Sequence, residues 1–499
     1  MGEGWLAAKG LGCHHGLASC VAERALARRA EEQRSGGEEP REGDVVEATV
    51  VAWGSGLDAV AEWSGGRLYL RGALPGERLR VRLRGGRGRW RGEVVSWVRR
   101  SSSRCEPSCA VASRCGGCDL QHMAYRAQLA WKRDEVMRAV RTGLGRPVQV
   151  AELLAPEEPR GHRTKIGLRI GGAAGALTAG LFAPYTREVV AISECEVQDA
   201  AGTAFALRLV ALASKLGVPP FEEESGRGLL RAVVVRVGHG TGELQVTWVL
   251  SARSQQYEPA LTAAALEAGA LSVALNFHAE DGKQLAGSRL VHAGGAARIR
   301  AEVCGQSYLV SAGAFFQTSK FCAEALSRQV RSWAGSAPHG RLLDLYSGLG
   351  FFGLPLASRF REVVAMEESH AATEDGIASA AGSGVRNISF REGRVESSLR
   401  AFLRSGGEAT TVIADPPRSG LSAEVAEMLT SELTPERLVY VSCDLDALAR
   451  DVAVLTQGGM QLEEVQPVEM FPMTKHVETV ALFRPNPVLA MARRMGGRR

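Results

Sequence analysis

The 499-residue sequence predicts a multidomain chain: a small N-terminal β-barrel, a mainly β central region, and a doubly wound, Rossmann-like α/β domain at the C-terminus. Three observations lead there. The length exceeds what one ordinary core serves. Residues 44–103 consist of short alternating runs punctuated by Gly and Pro. From Phe315 to about Phe483, apolar strand patterns alternate with helical ones. The expected boundaries fall at 1–43, 44–103, 104–309 and 310–499.

Residues 1–43 mix Gly, Glu and Arg around one short helical pattern and end in Ser35-Gly36-Gly37-Glu38-Glu39-Pro40, which predicts a mobile extension. Cys13-His14-His15 and Cys20 match no common metal spacing. The start lacks a signal-peptide pattern, and Leu6 stands where a myristoylation site needs Ser or Thr. No run approaches 18 apolar residues, so no membrane span is expected. A cytoplasmic, monomeric protein is expected.

The barrel is read from five runs, Val45–Ala52, Leu57–Trp63, Arg67–Leu74, Glu77–Leu83 and Trp90–Val98. The net charge is only +5, yet Ser64 to Arg104 holds 12 arginines against Glu77 and Glu93. In Arg78-Leu79-Arg80-Val81-Arg82-Leu83-Arg84 the arginines alternate, which places them on one face of a strand. Such a face suits a polyanion, and RNA in particular if Trp90 or Trp97 stacks on bases. Each Trp is assigned first to the core, because that is where the residue type usually sits.

Next come Cys109-x5-Cys115-x2-Cys118, and then a helical stretch from His122 to Thr142. Three adjacent thiolates repel one another unless a cation or cluster neutralises them, and in a reducing compartment that favours metal over disulfides. A fourth ligand would be Cys105 or Cys195. Iron–sulfur and zinc both suit four thiolates. The C-x3-C-x2-C pattern of radical enzymes is absent from the sequence.

In the last domain, Leu342–Leu345 runs into Tyr346-Ser347-Gly348-Leu349-Gly350, a strand followed by a small-residue turn that lets backbone approach a ligand. Glu367 ends the following strand, where a carboxylate can hold ribose hydroxyls. Asp415-Pro416-Pro417 ends a later one. Together these favour S-adenosylmethionine over a nicotinamide cofactor. Leu438–Val441 leads to Ser442-Cys443-Asp444, a cysteine at a strand's carboxyl end. Carbon 5 of uracil is a poor nucleophile, so a thiolate must first add at carbon 6. A base must later remove the carbon 5 proton. Glu478 offers that base, with His476 the alternative.

These elements together resemble the RNA uridine-5-methyltransferase family, in particular ribosomal RNA members with an N-terminal TRAM domain and an iron–sulfur cluster. The residues are Cys109, Cys115, Cys118 and Cys195; Phe315-Phe316-Gln317; Asp344 to Gly350; Asp415 to Gly420; Val441-Ser442-Cys443 with Arg450-Asp451; and His476-Val477-Glu478. The resemblance implies a four-iron four-sulfur cluster on the four cysteines and methyl-donor contacts from Gln317, Tyr346, Glu367 and Asp415. It implies Cys443 as nucleophile, Glu478 as base, and Arg163 near bound RNA. Arg394 stands where the family usually has an acidic residue. Structured RNA, ribosomal in the first reading and transfer RNA in the second, is the implied partner. A 5-methylcytidine enzyme would usually add a cysteine beside Asp-Pro-Pro, and none is present. A non-catalytic RNA-binding factor has no need of both Cys443 and Glu478.

Overall fold

The computed structural model describes residues 40–54, 58–86, 89–279 and 284–487. The expected extension, with Cys13 and Cys20, lies almost wholly outside them. The described residues divide into two compact units, one ending at Arg104 and one beginning at Cys105.

In the first unit β1 (Val45–Trp53), β2 (Ala59–Trp63), β3 (Gly66–Leu70), β4 (Arg78–Gly86) and β5 (Arg89–Arg99) close a barrel in the order β1-β2-β3-β5-β4. Alternation decides the faces: Leu79, Val81 and Leu83 point into the core while Arg78, Arg80, Arg82 and Arg84 are exposed. Gly92 is required inside, since a Cβ there would meet Val81 at 2.1 Å and Leu70 at 2.6 Å. Trp90 is core, as expected. Trp97 is not: it is 38% exposed, and the guanidinium groups of Arg100 and Arg104 stand 5.0 and 5.1 Å from its ring. Below it Glu77 is fully buried, accepting bonds from Arg104 Nε at 2.5 Å, Arg104 Nη2 at 2.8 Å and Leu74 N–H at 2.9 Å. Burial alone opposes the charge, but Arg104 and the peptide N–H groups override it and hold Glu77 below the usual carboxylate range.

The second unit contains two sheets. Its first helix, α1 (Tyr125–Leu144), carries Val136 and Val140 into the core of the C-terminal sheet. The helix was expected, but that partner cannot be read from a local pattern. The first sheet comprises β6 (Lys165–Ala173), β7 (Ala176–Phe182), β8 (Val189–Ala191), β9 (Leu230–Val237), β10 (Leu244–Leu250), β11 (Ser272–Phe277) and β12 (Arg289–Gly295). Its order is β12-β11-β10-β9-β6-β7-β8. Helices α2 (Ala200–Lys215) and α3 (Tyr257–Glu267) share its core through Phe205, Leu209 and Leu261. A hairpin, β13 (Arg298–Val303) and β14 (Gln306–Ser311), leads into the second sheet.

That sheet holds β15 (Ala337–Leu345), β16 (Phe360–Glu367), β17 (Ile388–Glu392), β18 (Thr411–Ala414), β19 (Arg437–Ser442), β20 (Met460–Val468) and β21 (Glu478–Pro485), in the order β17-β16-β15-β18-β19-β21-β20. Strands β15 to β19 are parallel, and β21 runs against β19. Their near-continuous apolar runs are what burial on both faces demands. Helices α4 (Lys320–Ala334), α5 (Gly353–Leu356), α6 (His370–Gly382), α7 (Val395–Arg404), α8 (Ala423–Glu427) and α9 (Leu445–Gln457) accompany the strands. Order reverses between β15 and β18, and a crevice at that switch is where such sheets bind ligands.

Candidate active site

Every proposed cofactor residue on the sheet lies at the carboxyl end of a parallel strand or just after it. Tyr346 comes straight after β15 with φ 58°, and Gly348 and Gly350 follow with φ 54° and 79°. A left-handed tyrosine costs of order 1 kcal/mol and marks a turn held by its surroundings. Glu367, at the end of β16, accepts the N–H of Gly348 and the N–H of Ser369, both at 2.8 Å, so its carboxylate is locked against the turn. Asp415 follows β18; burial and then the charge of Glu367 push its carboxyl up to about 7. Gln317 is buried next to Phe316, whose ring meets Phe351 edge-on at 5.8 Å beyond the Gly-rich turn.

Asp344 was not singled out as a site residue, although it lies beneath this crevice. Its Oδ2 accepts the Gly353 N–H at 2.8 Å. Its Oδ1 is buried without a hydrogen-bond partner. Burial, then Asp415 and Glu367, raise its carboxyl well above the ordinary value. A crevice with three carboxylates, one orphaned oxygen and a close-approach turn fits a cationic amino-acid nucleoside such as S-adenosylmethionine. Arg394, by contrast, is exposed and faces Glu396 at 3.5 Å.

The nucleophile and base candidates come from neighbouring antiparallel strands. Ser442 is opposite Thr479 in the β19–β21 register, so Cys443 and Glu478 extend from the same edge one step on. Burial raises the Cys443 thiol to about 12, reinforced by Glu478 and Asp415 and opposed by Arg418. Glu478 is buried, and its carboxyl is pushed well up by burial and by Asp415. His476 is pushed down to about 4 by burial, then by Arg418 and Lys475, which makes it a weak base. Its ring packs on Phe471 at 5.9 Å. Asp444 caps α9, accepting the N–H groups of Asp446 and Ala447 at 3.1 and 3.0 Å, and so fixes the turn that carries Cys443. Asp451 braces the same region, accepting the Tyr440 hydroxyl at 2.6 Å and the Leu421 N–H at 2.8 Å. Its only sequence signal was its place beside Arg450.

Cys109, Cys115, Cys118 and Cys195 come together around one cavity of about 480 Å³, with Arg163 and Phe471 also in its wall. Burial, then Cys195, Cys115 and Cys109, push the Cys118 thiol up to about 12. Among the described residues no group of three or more His, Cys, Asp or Glu is arranged to hold a metal ion. The expected coordination shell is therefore not shown among the described residues. Cys105, the other candidate fourth ligand, turns instead to the Gln121 carbonyl at 3.4 Å. Arg163 is exposed, its guanidinium 5.9 Å from the Phe471 ring.

Comparison with known proteins agrees with this geometry. Residues 306–485 match the tRNA (Uracil-5-)-methyltransferase family. An RNA methyltransferase of Listeria monocytogenes serotype 4b is 31% identical over 437 residues, covering 87% of this chain and 95% of that protein. One from Thermosynechococcus vestitus is 33% identical over 455 residues, covering 89% and 98%. The crystal structure of Pyrococcus abyssi tRNA (uracil-54, C5)-methyltransferase in complex with S-adenosyl-L-homocysteine is 27% identical with a TM-score of 0.69, covering 87% of this chain and 99% of that one. With that crevice, and with those likenesses along most of its length, the chain belongs to the RNA (uracil-5-)-methyltransferase family and is an S-adenosylmethionine-dependent enzyme.

Proposed function

We propose that the enzyme methylates carbon 5 of a specific uridine in ribosomal RNA through a covalent bond between Cys443 and carbon 6. The observation that carries this is the β19–β21 register, which sets Cys443 and Glu478 on one edge beside Asp415. Cys443 adds to carbon 6 as its thiolate, and carbon 5 becomes nucleophilic. S-adenosylmethionine supplies the methyl group, and Gln317, Tyr346, Glu367 and Asp415 hold it. Glu478 then takes the carbon 5 proton, and the Cys443 sulfur leaves as the double bond reforms. Its raised carboxyl matches that task better than His476, because a stronger base accepts a carbon-bound proton more readily.

The test separates the two residues by what accumulates. Cys443→Ala should abolish turnover and any covalent RNA adduct. Glu478→Gln should still transfer methyl and then stall as a protein–RNA conjugate, visible on a denaturing gel and labelled from the methyl donor. If His476→Ala traps the conjugate while Glu478→Gln turns over normally, the base is His476.

Transfer RNA is the second reading, favoured by the likeness to the Pyrococcus enzyme. Mapping 5-methyluridine in ribosomal and transfer RNA from a strain lacking the gene decides between them. For the four-thiol cavity we propose a four-iron four-sulfur cluster held by Cys109, Cys115, Cys118 and Cys195, since all four line it and the other three each raise the Cys118 thiol. Anaerobically purified protein should carry about four iron and four sulfide per chain; one zinc and no iron would overturn it.

A further inference from the structure

Helix α1 does more than pack. Gln128 and Lys132 lie one turn apart on one face, both fully buried, and both grip the segment that joins β20 to β21. Gln128 Nε2 donates to the carbonyls of Leu120 at 3.0 Å and Met123 at 2.8 Å and touches Met473 Sδ at 3.3 Å. Its Oε1 accepts the Met473 N–H at 3.2 Å. The Met473 carbonyl in turn accepts the N–H groups of Asp119 and Leu120, at 2.8 and 2.9 Å, immediately after Cys118. Lys132 Nζ donates to both Glu469 oxygens, at 2.6 and 2.8 Å, and to the Phe471 carbonyl at 3.2 Å. Met473 itself sits at φ 65°. A non-glycine residue there is strained, and such strain persists only where the surroundings over-determine it. Five residues further along the chain is Glu478.

We propose that Gln128 is a positioning residue for the base: together with the Asp119–Leu120 peptides it clamps Met473, and that clamp fixes where Glu478 enters β21. The inference rests on the reading of Glu478 as the base. The physical argument is one of lever length. Glu478 is the first residue of its strand, in register with Val468 of β20, so along the chain the sheet continues to hold it only on its C-terminal side. The other side is a loop whose conformation is held at Met473 from both its N–H and its carbonyl. Proton removal from carbon needs the carboxylate within hydrogen-bond reach of one atom, whereas thiolate addition and methyl transfer do not involve it. A loosened clamp should therefore slow the last step alone.

The experiment uses the full-length enzyme with a methylatable RNA, a labelled methyl donor and denaturing gels. Gln128→Met removes the hydrogen bonds and roughly keeps the volume. It should leave single-turnover methyl transfer within about twofold of wild type while the methylated protein–RNA conjugate rises about tenfold. Val140→Ala, which weakens the same helix without touching the loop, should destabilise the protein and trap nothing. Met473→Gly, which frees the same backbone without burying an unpaired group, should also trap the conjugate and serves if Gln128→Met fails to fold. If Glu478→Gln traps the conjugate but neither Gln128→Met nor Met473→Gly does, the clamp is wrong and the base assignment stands. If Glu478→Gln itself traps nothing, the base assignment falls. If Val140→Ala traps as strongly as Gln128→Met, the effect is general destabilisation and the positioning role is refuted.

Discussion

At the scale of single residues the site is a cluster of acids whose burial makes each carboxylate a stronger base. Asp344, Asp415 and Glu478 are all raised above ordinary carboxylate values, chiefly by burial. Cys443 feels two of them, so it is a poor thiolate while they are ionised. Asp415→Asn removes one negative neighbour and should move the alkylation midpoint of Cys443 by iodoacetamide to lower pH. Arg418→Ala removes the one opposing cation and should move it to higher pH. An unchanged midpoint in both would show that burial alone sets the thiol. The residue types at these places were legible in the sequence, because each chemistry permits few side chains. Asp344 and Asp451 were not assigned, because a carboxylate inside a strand or helix acquires its role only from what folds over it.

Elements show the same division. Alternation along β4 told which side chains face outward, since the pleat has a period of two. Replacing Arg80 and Arg82 together by Gln should weaken RNA binding and lower the slope of log affinity against log salt by about one for each phosphate no longer bound. Affinity and slope equal to wild type would remove RNA from that face. Trp97 was assigned to the core and is exposed instead, stacked with Arg100 and Arg104. It lies seven positions from buried Trp90, so the alternation along β5, which runs unbroken from Trp90 to Trp97, puts the two rings on opposite faces. Beneath it, Glu77→Ala would leave Arg104 buried without its carboxylate and should cost about 3–5 kcal/mol, measured by urea unfolding. The pH dependence follows from the depressed carboxyl of Glu77. The folded unit binds fewer protons than the unfolded chain, so this stabilisation is complete above about pH 4.3 and is lost as pH falls through the folded value. Wild type should therefore lose barrel stability on acidification more steeply than Glu77→Gln.

For the whole molecule, the proposed cofactor, nucleophile and base residues all belong to the unit from Cys105 onward, while the Arg-rich face belongs to the other. A chain lacking residues 44–103 should bind S-adenosyl-L-homocysteine as wild type does, by calorimetry, and lose RNA affinity with a flatter salt dependence. Cofactor affinity reduced more than about tenfold would show that the barrel is needed to complete the second unit. A buried pair offers a second check on that unit. Lys132→Met leaves Glu469 buried alone and should cost about 3–5 kcal/mol, read as a lowered Tm. No described helix is long and apolar enough to cross a membrane.

The sequence by itself determined the order of barrel, central region and Rossmann-like sheet, and it offered Cys443 and Glu478 as candidates, with Gln317, Tyr346, Glu367 and Asp415 as the cofactor contacts that the resemblance implies. It could do so because periodicity, turn residues and reactive side chains are local properties. Only the tertiary structure decided that α1 belongs to the core of the C-terminal sheet and grips the loop before Glu478, that the four cysteines line one cavity, and that Asp344 lies under the crevice with an unpaired oxygen. Each of these joins residues far apart in the chain. Lys132 and Glu469 are separated by 337 positions, and no local pattern records which distant group will remove a side chain from water. That removal is what sets the charge, strain and reach on which the chemistry depends.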